Sequence, residues 1–215
     1  MAHLNRQKNE HKFTKKMANN LIQSSFQKAH SYTSYRKLIK RLILEGKSTA
    51  QEKNDALLNY SILNDKRMDR LDKTLKISED TLNSIKGLKQ QLTFLVISEG
   101  WCGDAAQIVP ILNKITETSS NIELKIVFRD ENEALMNQFL TNGNKSIPKV
   151  ILVDSDYNII NSWGPRPSIA TKMVLAYKAQ NGSLDSEFKK DLQLWYNKDK
   201  GYSTQKDIVK LLKVS

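Results

Sequence analysis

Residues 99–115 read EGWCGDAAQIVPILNKI and hold Cys102, the only cysteine of the 215-residue chain. The run follows an apolar, strand-like stretch from Leu92 to Ser98 and opens an amphipathic helix whose apolar positions include Ile108, Ile111, Leu112 and Ile115. Cys102 therefore stands at the expected start of a helix. Free backbone N–H groups and the positive end of the macrodipole favour a thiolate there, which is a reactive cysteine's setting.

Outward from this run, the chain changes its period. On the C-terminal side, Ile122–Phe128 reads as a strand, 132–141 as a helix, 149–153 and 159–163 as a hairpin pair, and 167–179 as a helix. With the strand before Cys102 and the helix after it, the order is βαβαββα. Two amphipathic helices are expected beyond, over 183–197 and 203–214. On the N-terminal side, Tyr35, Leu38, Ile39, Leu42 and Ile43 recur at helical spacing, with Arg36, Lys37, Lys40 and Arg41 on the polar side and Gly46 as a stop. A longer helical stretch runs over 50–75 with a break expected near Asn64 and Asp65, and a third starts at Ser78, with Glu79 and Asp80 in its first turn.

Trp101-Cys102-Gly103 resembles the active-site segment of the thioredoxin family, and Pro110, eight residues after the cysteine, matches the proline inside that family's active-site helix. A second mark is Ser146-Ile147-Pro148-Lys149, just before a strand. The resemblance implies an α/β thioredoxin-like fold, a central mixed sheet flanked by helices, over residues 76–182. A basic arm (1–30) with too few large apolar residues to promise order, a helical extension (31–75) and C-terminal helices (183–215) complete the expected layout. It also implies that Cys102, Trp101, Gly103 and Asp104 form the catalytic segment. Ile147 and Pro148 would bind substrate through a cis peptide bond facing the cysteine. X-Pro bonds are cis in only about 5 % of folded cases, so that expectation comes from the resemblance.

The chain departs from the family at three positions. Asp104 replaces the family's proline, Ala105 its second cysteine, and Val96 the buried acid six residues before the first cysteine. The parts needed to resolve a mixed disulfide internally are absent together. The implied chemistry is monothiol thiol–disulfide exchange with a protein disulfide or thiol partner, resolved by an outside thiol such as a low-molecular-weight one. The alternative is a redox-inactive module that binds a protein partner. Cys102-Gly103-Asp104-Ala105 is also similar to the Cys-Gly-x-Ser of cluster-holding monothiol glutaredoxins, but Ala105 departs from it, and no cofactor is expected.

Asp104 would raise the thiol pKa by like-charge repulsion, although a first-turn acid suits the helix dipole. With Glu99 it could form a proton-handling pair. Glu99, Arg129 after the second strand, and Arg166 before the last core helix are accessory candidates. His3, His11 and His30 all fall in the arm, far from Cys102 in sequence, so no metal site is expected.

Charge is unevenly placed. Residues 1–50 carry 11 Lys/Arg against 2 acids, while 101–200 carry 12 against 12, so most of the net +11 belongs to residues 1–50, the arm and the first helix of the extension. Such a basic segment is most often a scaffold or tail, with an acidic protein partner the next reading; nucleic acid comes last, because charge patterning alone is permissive. Gly46-Lys47-Ser48-Thr49 echoes a phosphate-binding loop but lacks its upstream glycine and preceding strand. No run of 18 apolar residues and no signal-like N-terminus is present, which points to a cytoplasmic protein without a membrane span.

Overall fold

The computed structural model describes residues 18–213. Four strands form one mixed sheet: β1 (Leu92–Ser98), β2 (Ile122–Phe128), β3 (Lys149–Asp154) and β4 (Ile159–Trp163), in the order β2-β1-β3-β4. β1 and β2 run parallel, joined through helix α5 (Gly103–Thr116), and β3 is antiparallel to both β1 and β4. A parallel pair needs a crossover, and the 14-residue α5 supplies it. Phe94, Leu95, Val96 and Ile97 of β1 are fully buried, as expected of a central strand covered on both faces.

Before the sheet come α1 (18–28), α2 (Tyr32–Leu44), α3 (Asp55–Thr74) and α4 (Glu79–Lys86). Ser31, Asn54 and Ser78 cap α2, α3 and α4 through side-chain oxygens that accept from Ser34 N, Leu57 N and Thr81 N. After β2 comes α6 (Glu133–Met136); α7 (Ser168–Asn181), α8 (Ser186–Asp199) and α9 (Tyr202–Leu212) follow the hairpin. α9 buries Ile208, Leu211 and Leu212 in the main core, whereas α7 and α8 share a smaller cluster of Ala170, Val174, Phe188, Leu192 and Tyr196.

Several local expectations need correcting. α3 is continuous through Asn64, because the buried Asn64 side chain donates to the Gly100 carbonyl at 3.0 Å instead of competing for its own backbone. The helix expected over 132–141 is one turn, α6. Gln138 N and Phe139 N donate to carbonyls three residues back, which tightens the chain out of the helix before the left-handed Asn142 and Gly143. Arg36 is buried rather than solvent-facing: it pairs with Asp65, Asp69 and Asp72 of α3, a stripe at helical spacing. Residues 18–30 of the arm are built into the fold, with Ile22 fully buried and His30 exchanging backbone hydrogen bonds with Ile126 of β2 at 2.7 and 2.9 Å. His3, His11 and the rest of the arm lie outside the described residues. Among the described residues, no helix is long and apolar enough to cross a membrane.

Candidate functional site

Cys102 caps α5, as the spacing predicts: its Sγ accepts from Ala105 N at 3.5 Å and donates to the Ile147 carbonyl at 3.4 Å. The carbonyl belongs to the Ile147–Pro148 peptide, which is cis. The two sequence marks, 45 residues apart, thus meet at the sulfur. Gly164 closes the far side of Pro148. Its φ of +117° excludes ordinary side chains, and a Cβ there would stand 2.3 Å from the Pro148 carbonyl oxygen. The glycine is what lets the loop before α7 lie on the proline segment.

The electrostatics reverse one expectation. Cys102 is only 8 % exposed, and burial, reinforced by the charge of Asp104, pushes its thiol up to about 12. The N–H groups at the start of α5 and the Arg166 guanidinium pull the other way, but desolvation of a buried thiolate is the larger effect. At rest the sulfur is a protonated thiol.

Asp104 is buried, not a solvated first-turn acid. Its Oδ2 pairs with Arg166 Nη2 at 2.7 Å and its Oδ1 accepts from Tyr196 Oη at 2.9 Å. Burial raises its pKa, while both partners oppose the rise. Arg166 thus reaches the site, held by the turn between β4 and α7. Tyr196 arrives from α8, and its own pKa is raised well above the ordinary phenol by burial and by Asp104. The sequence pattern of α8 marks Leu192 and Trp195 as apolar, and nothing in it singles out the hydroxyl of Tyr196.

Glu99 is fully buried three residues before the cysteine, and its backbone carbonyl accepts from Cys102 N at 3.1 Å. Its carboxylate turns away from the sulfur: Thr49 Oγ1 donates to Oε2, and Asp130 N donates to Oε1 at 3.2 Å. Burial outweighs these bonds and lifts its carboxyl to about 7. Glu99 and Asp104 therefore do not form a pair around the thiol. Glu99 instead ties the loop between α2 and α3 to the site, helped by Thr49 Oγ1 accepting from Gly100 N at 3.0 Å. Thr49, singled out only as part of a failed phosphate-loop match, is a site-supporting residue that sequence spacing misassigns.

Trp101 is half-buried under the Arg129 guanidinium, 4.9 Å from the ring centroid, so Arg129 acts on the site through the indole. Arg129 is also paired to Asp130 at 2.7 Å. On the outer side, Gly103 is flanked by α3 and α8, where Arg67 and Gln193 approach it and Gln193 accepts from Gln107 Nε2 at 2.9 Å. Among the described residues, no group of three His, Cys, Asp or Glu side chains could hold a metal ion.

A family model described as thioredoxin matches residues 50–182. The chain matches no curated protein. Among solved structures it is similar to a Pseudomonas aeruginosa protein of unknown function, at 16 % identity and TM-score 0.52, over 86 % of this chain and 98 % of that one. It is also similar to an HIV epitope scaffold, at 17 % identity and TM-score 0.53, over 86 % of this chain and 99 % of that one. At such identities the two structures speak for the fold alone.

Proposed function

The chain belongs to the thioredoxin family, and on that premise we propose that Cys102 performs thiol–disulfide exchange as a monothiol, with an outside thiol as resolver. The observation that carries this reading is the contact between Cys102 Sγ and the Ile147 carbonyl at 3.4 Å. It places the sulfur against the proline edge, where the family resemblance puts the substrate chain. In the first step the Cys102 thiolate attacks one sulfur of a substrate disulfide. That S–S bond breaks, and the other substrate sulfur leaves as a thiolate that takes up a proton. A low-molecular-weight thiol then attacks the mixed disulfide, returning Cys102 as the thiol and carrying the first substrate sulfur away in a new disulfide.

Ala105 supplies no second sulfur, so the mixed disulfide persists until the outside thiol arrives. The proton on Cys102 is the resting barrier, and Arg166 with the α5 N–H groups stabilises the thiolate once it forms. The test is a mixed-disulfide assay with a neutral dipyridyl disulfide. Wild type is expected to gain one pyridylthio adduct that a small thiol removes, and Cys102→Ser to gain none.

One observation favours a second reading. Cys102 is nearly buried and its pKa is raised, as suits a structural thiol in a redox-inactive module that holds a protein partner. On that reading Cys102→Ser keeps the partner, and wild type labels only when unfolded.

A further inference from the structure

We infer that the helical extension controls access to Cys102 by clamping the turn before it, with Thr49 and Asn64 as positioning residues on the two sides of Gly100. That the held sulfur exchanges rests on the reading of Cys102 as a monothiol. Cys102 N donates to the Glu99 carbonyl, three residues back, at 3.1 Å. Residues 99–102 are therefore a β-turn with Gly100 and Trp101 at its centre. The peptide joining those two residues is the one that turns over when a β-turn changes type, and it would carry Trp101 and Cys102 with it.

The extension holds this segment residue by residue. Tyr35 Oη of α2 and Ser98 Oγ share a hydrogen bond at 3.2 Å just before the turn. Thr49 Oγ1, in the loop between α2 and α3, donates to the Glu99 carboxylate and accepts from Gly100 N at 3.0 Å. Asn64 Nδ2 of α3 donates at 3.0 Å to the Gly100 carbonyl, which belongs to the central peptide itself. Ser98, Glu99 and Gly100 are thus each bonded to a side chain of residues 31–75. A Cβ on Gly100 would stand 3.1 Å from Ile39 Cγ1 and 3.4 Å from Thr49 Cγ2, so α2 and the loop lie directly on this backbone.

Asn64 is itself aimed. It is fully buried, and its Oδ1 accepts from Arg67 Nη1 at 2.8 Å, which leaves the Nδ2 end for Gly100. Arg67, three residues along α3, therefore orients the amide that locks the central peptide. Gly100 is buried, so losing either bond leaves one of its backbone groups without a partner, and the closed turn gives up part of its advantage over an opened one. Cys102 is nearly buried with its Sγ on the Ile147 carbonyl, so a reagent reaches the sulfur through an opening of this turn.

The test measures the iodoacetamide rate at Cys102 at pH 8 together with amide hydrogen exchange at Gly100 and Cys102. Thr49→Val and Asn64→Leu are each expected to raise the labelling rate about tenfold, the effect of one hydrogen bond on the opening equilibrium. Both are expected to speed exchange at the Gly100 and Cys102 amides while the central amides of β1 stay protected. Thr49→Ser, which keeps the hydroxyl, is expected to remain near wild type. Tyr32→Phe removes a hydrogen bond from α2 to Asp72 of α3 without touching the turn, and is expected to leave both readouts near wild type. Should Asn64→Leu not fold, Thr49→Val against Thr49→Ser decides. Labelling and amide exchange in Thr49→Val no faster than in Thr49→Ser, or matched by Tyr32→Phe, would overturn the clamp. The expected variant effects in a protein whose wild type forms no dipyridyl disulfide adduct would keep the clamp and overturn the exchange reading instead.

Discussion

Tyr196 donates a hydrogen bond to Asp104 at 2.9 Å across 92 residues of sequence. The bond joins α8, which lies beyond the matched residues 50–182, to the residue two places after the cysteine. Among the added C-terminal helices, α8 therefore reaches the candidate site. Asp104 exchanges its surface role for a buried one in which Tyr196 and Arg166 hold it on two sides.

The first consequence concerns thiol reactivity. Since burial and then Asp104 raise the Cys102 pKa to about 12, the iodoacetamide rate is expected to keep rising above the free-thiol value of about 8.5. Asp104→Asn removes the like charge and shifts the profile to lower pH. A midpoint below the free thiol in wild type would contradict the burial argument.

Tyr196→Phe removes one hydrogen bond that stabilises ionised Asp104. Burial is then opposed by Arg166 alone, so the Asp104 pKa rises further. The expected loss is about 1–2 kcal/mol of stability in urea unfolding at neutral pH, shrinking at acid pH as Asp104 protonates. A loss that does not change with pH would mean that the hydroxyl serves packing only.

Glu99 links stability to pH. Its carboxyl is raised from 4.5 to about 7, so the folded state keeps a proton that the unfolded chain releases. The resulting stability is fully present below 4.5 and is lost as pH rises through about 7. Relative to Glu99→Gln, wild type should lose up to about 3 kcal/mol across that window. Urea midpoints of the two proteins between pH 4 and 8, showing parallel curves, would count against the buried carboxyl.

Gly164→Ala places a methyl 2.3 Å from the Pro148 carbonyl oxygen, a backbone atom that cannot swing aside. The expected cost is about 2–4 kcal/mol, together with a changed Cys102 labelling rate as the proline segment moves. Thermal melting and labelling rate check the two parts separately.

Ala105→Cys restores the family's spacing. Ala105 N already lies 3.5 Å from Cys102 Sγ, so a thiol at 105 is expected to close a disulfide with Cys102 on mild oxidation. Intact-mass loss of two hydrogens, reversed by dithiothreitol, would confirm it; two free thiols after oxidation would show that the start of α5 cannot adopt the required geometry.

Periodicity and capping made much of this protein legible. The apolar run 92–98, the α5 stripe and the hairpin residues 149–153 and 159–163 are local patterns, and each formed the element its spacing predicts. Cys102 as a helix cap was readable from spacing and the Ile147-Pro148 segment beside it from the family resemblance; the antiparallel pairing of β1 with β3, Ile97 opposite Lys149, brings the two to one end of the sheet. What the chain order could not contain is solvent exclusion. Whether the helix dipole or burial governs the thiol depends on how much apolar surface α3, α8 and the sheet stack around it, and only packing decides that. The same holds for Tyr196 on Asp104, Thr49 on Glu99 and Arg36 among the acids of α3. These are contacts between polar groups far apart in sequence, and no repeat or spacing announces them. Local sequence determined the elements and the position of the sulfur; tertiary packing determined its protonation state and its neighbours.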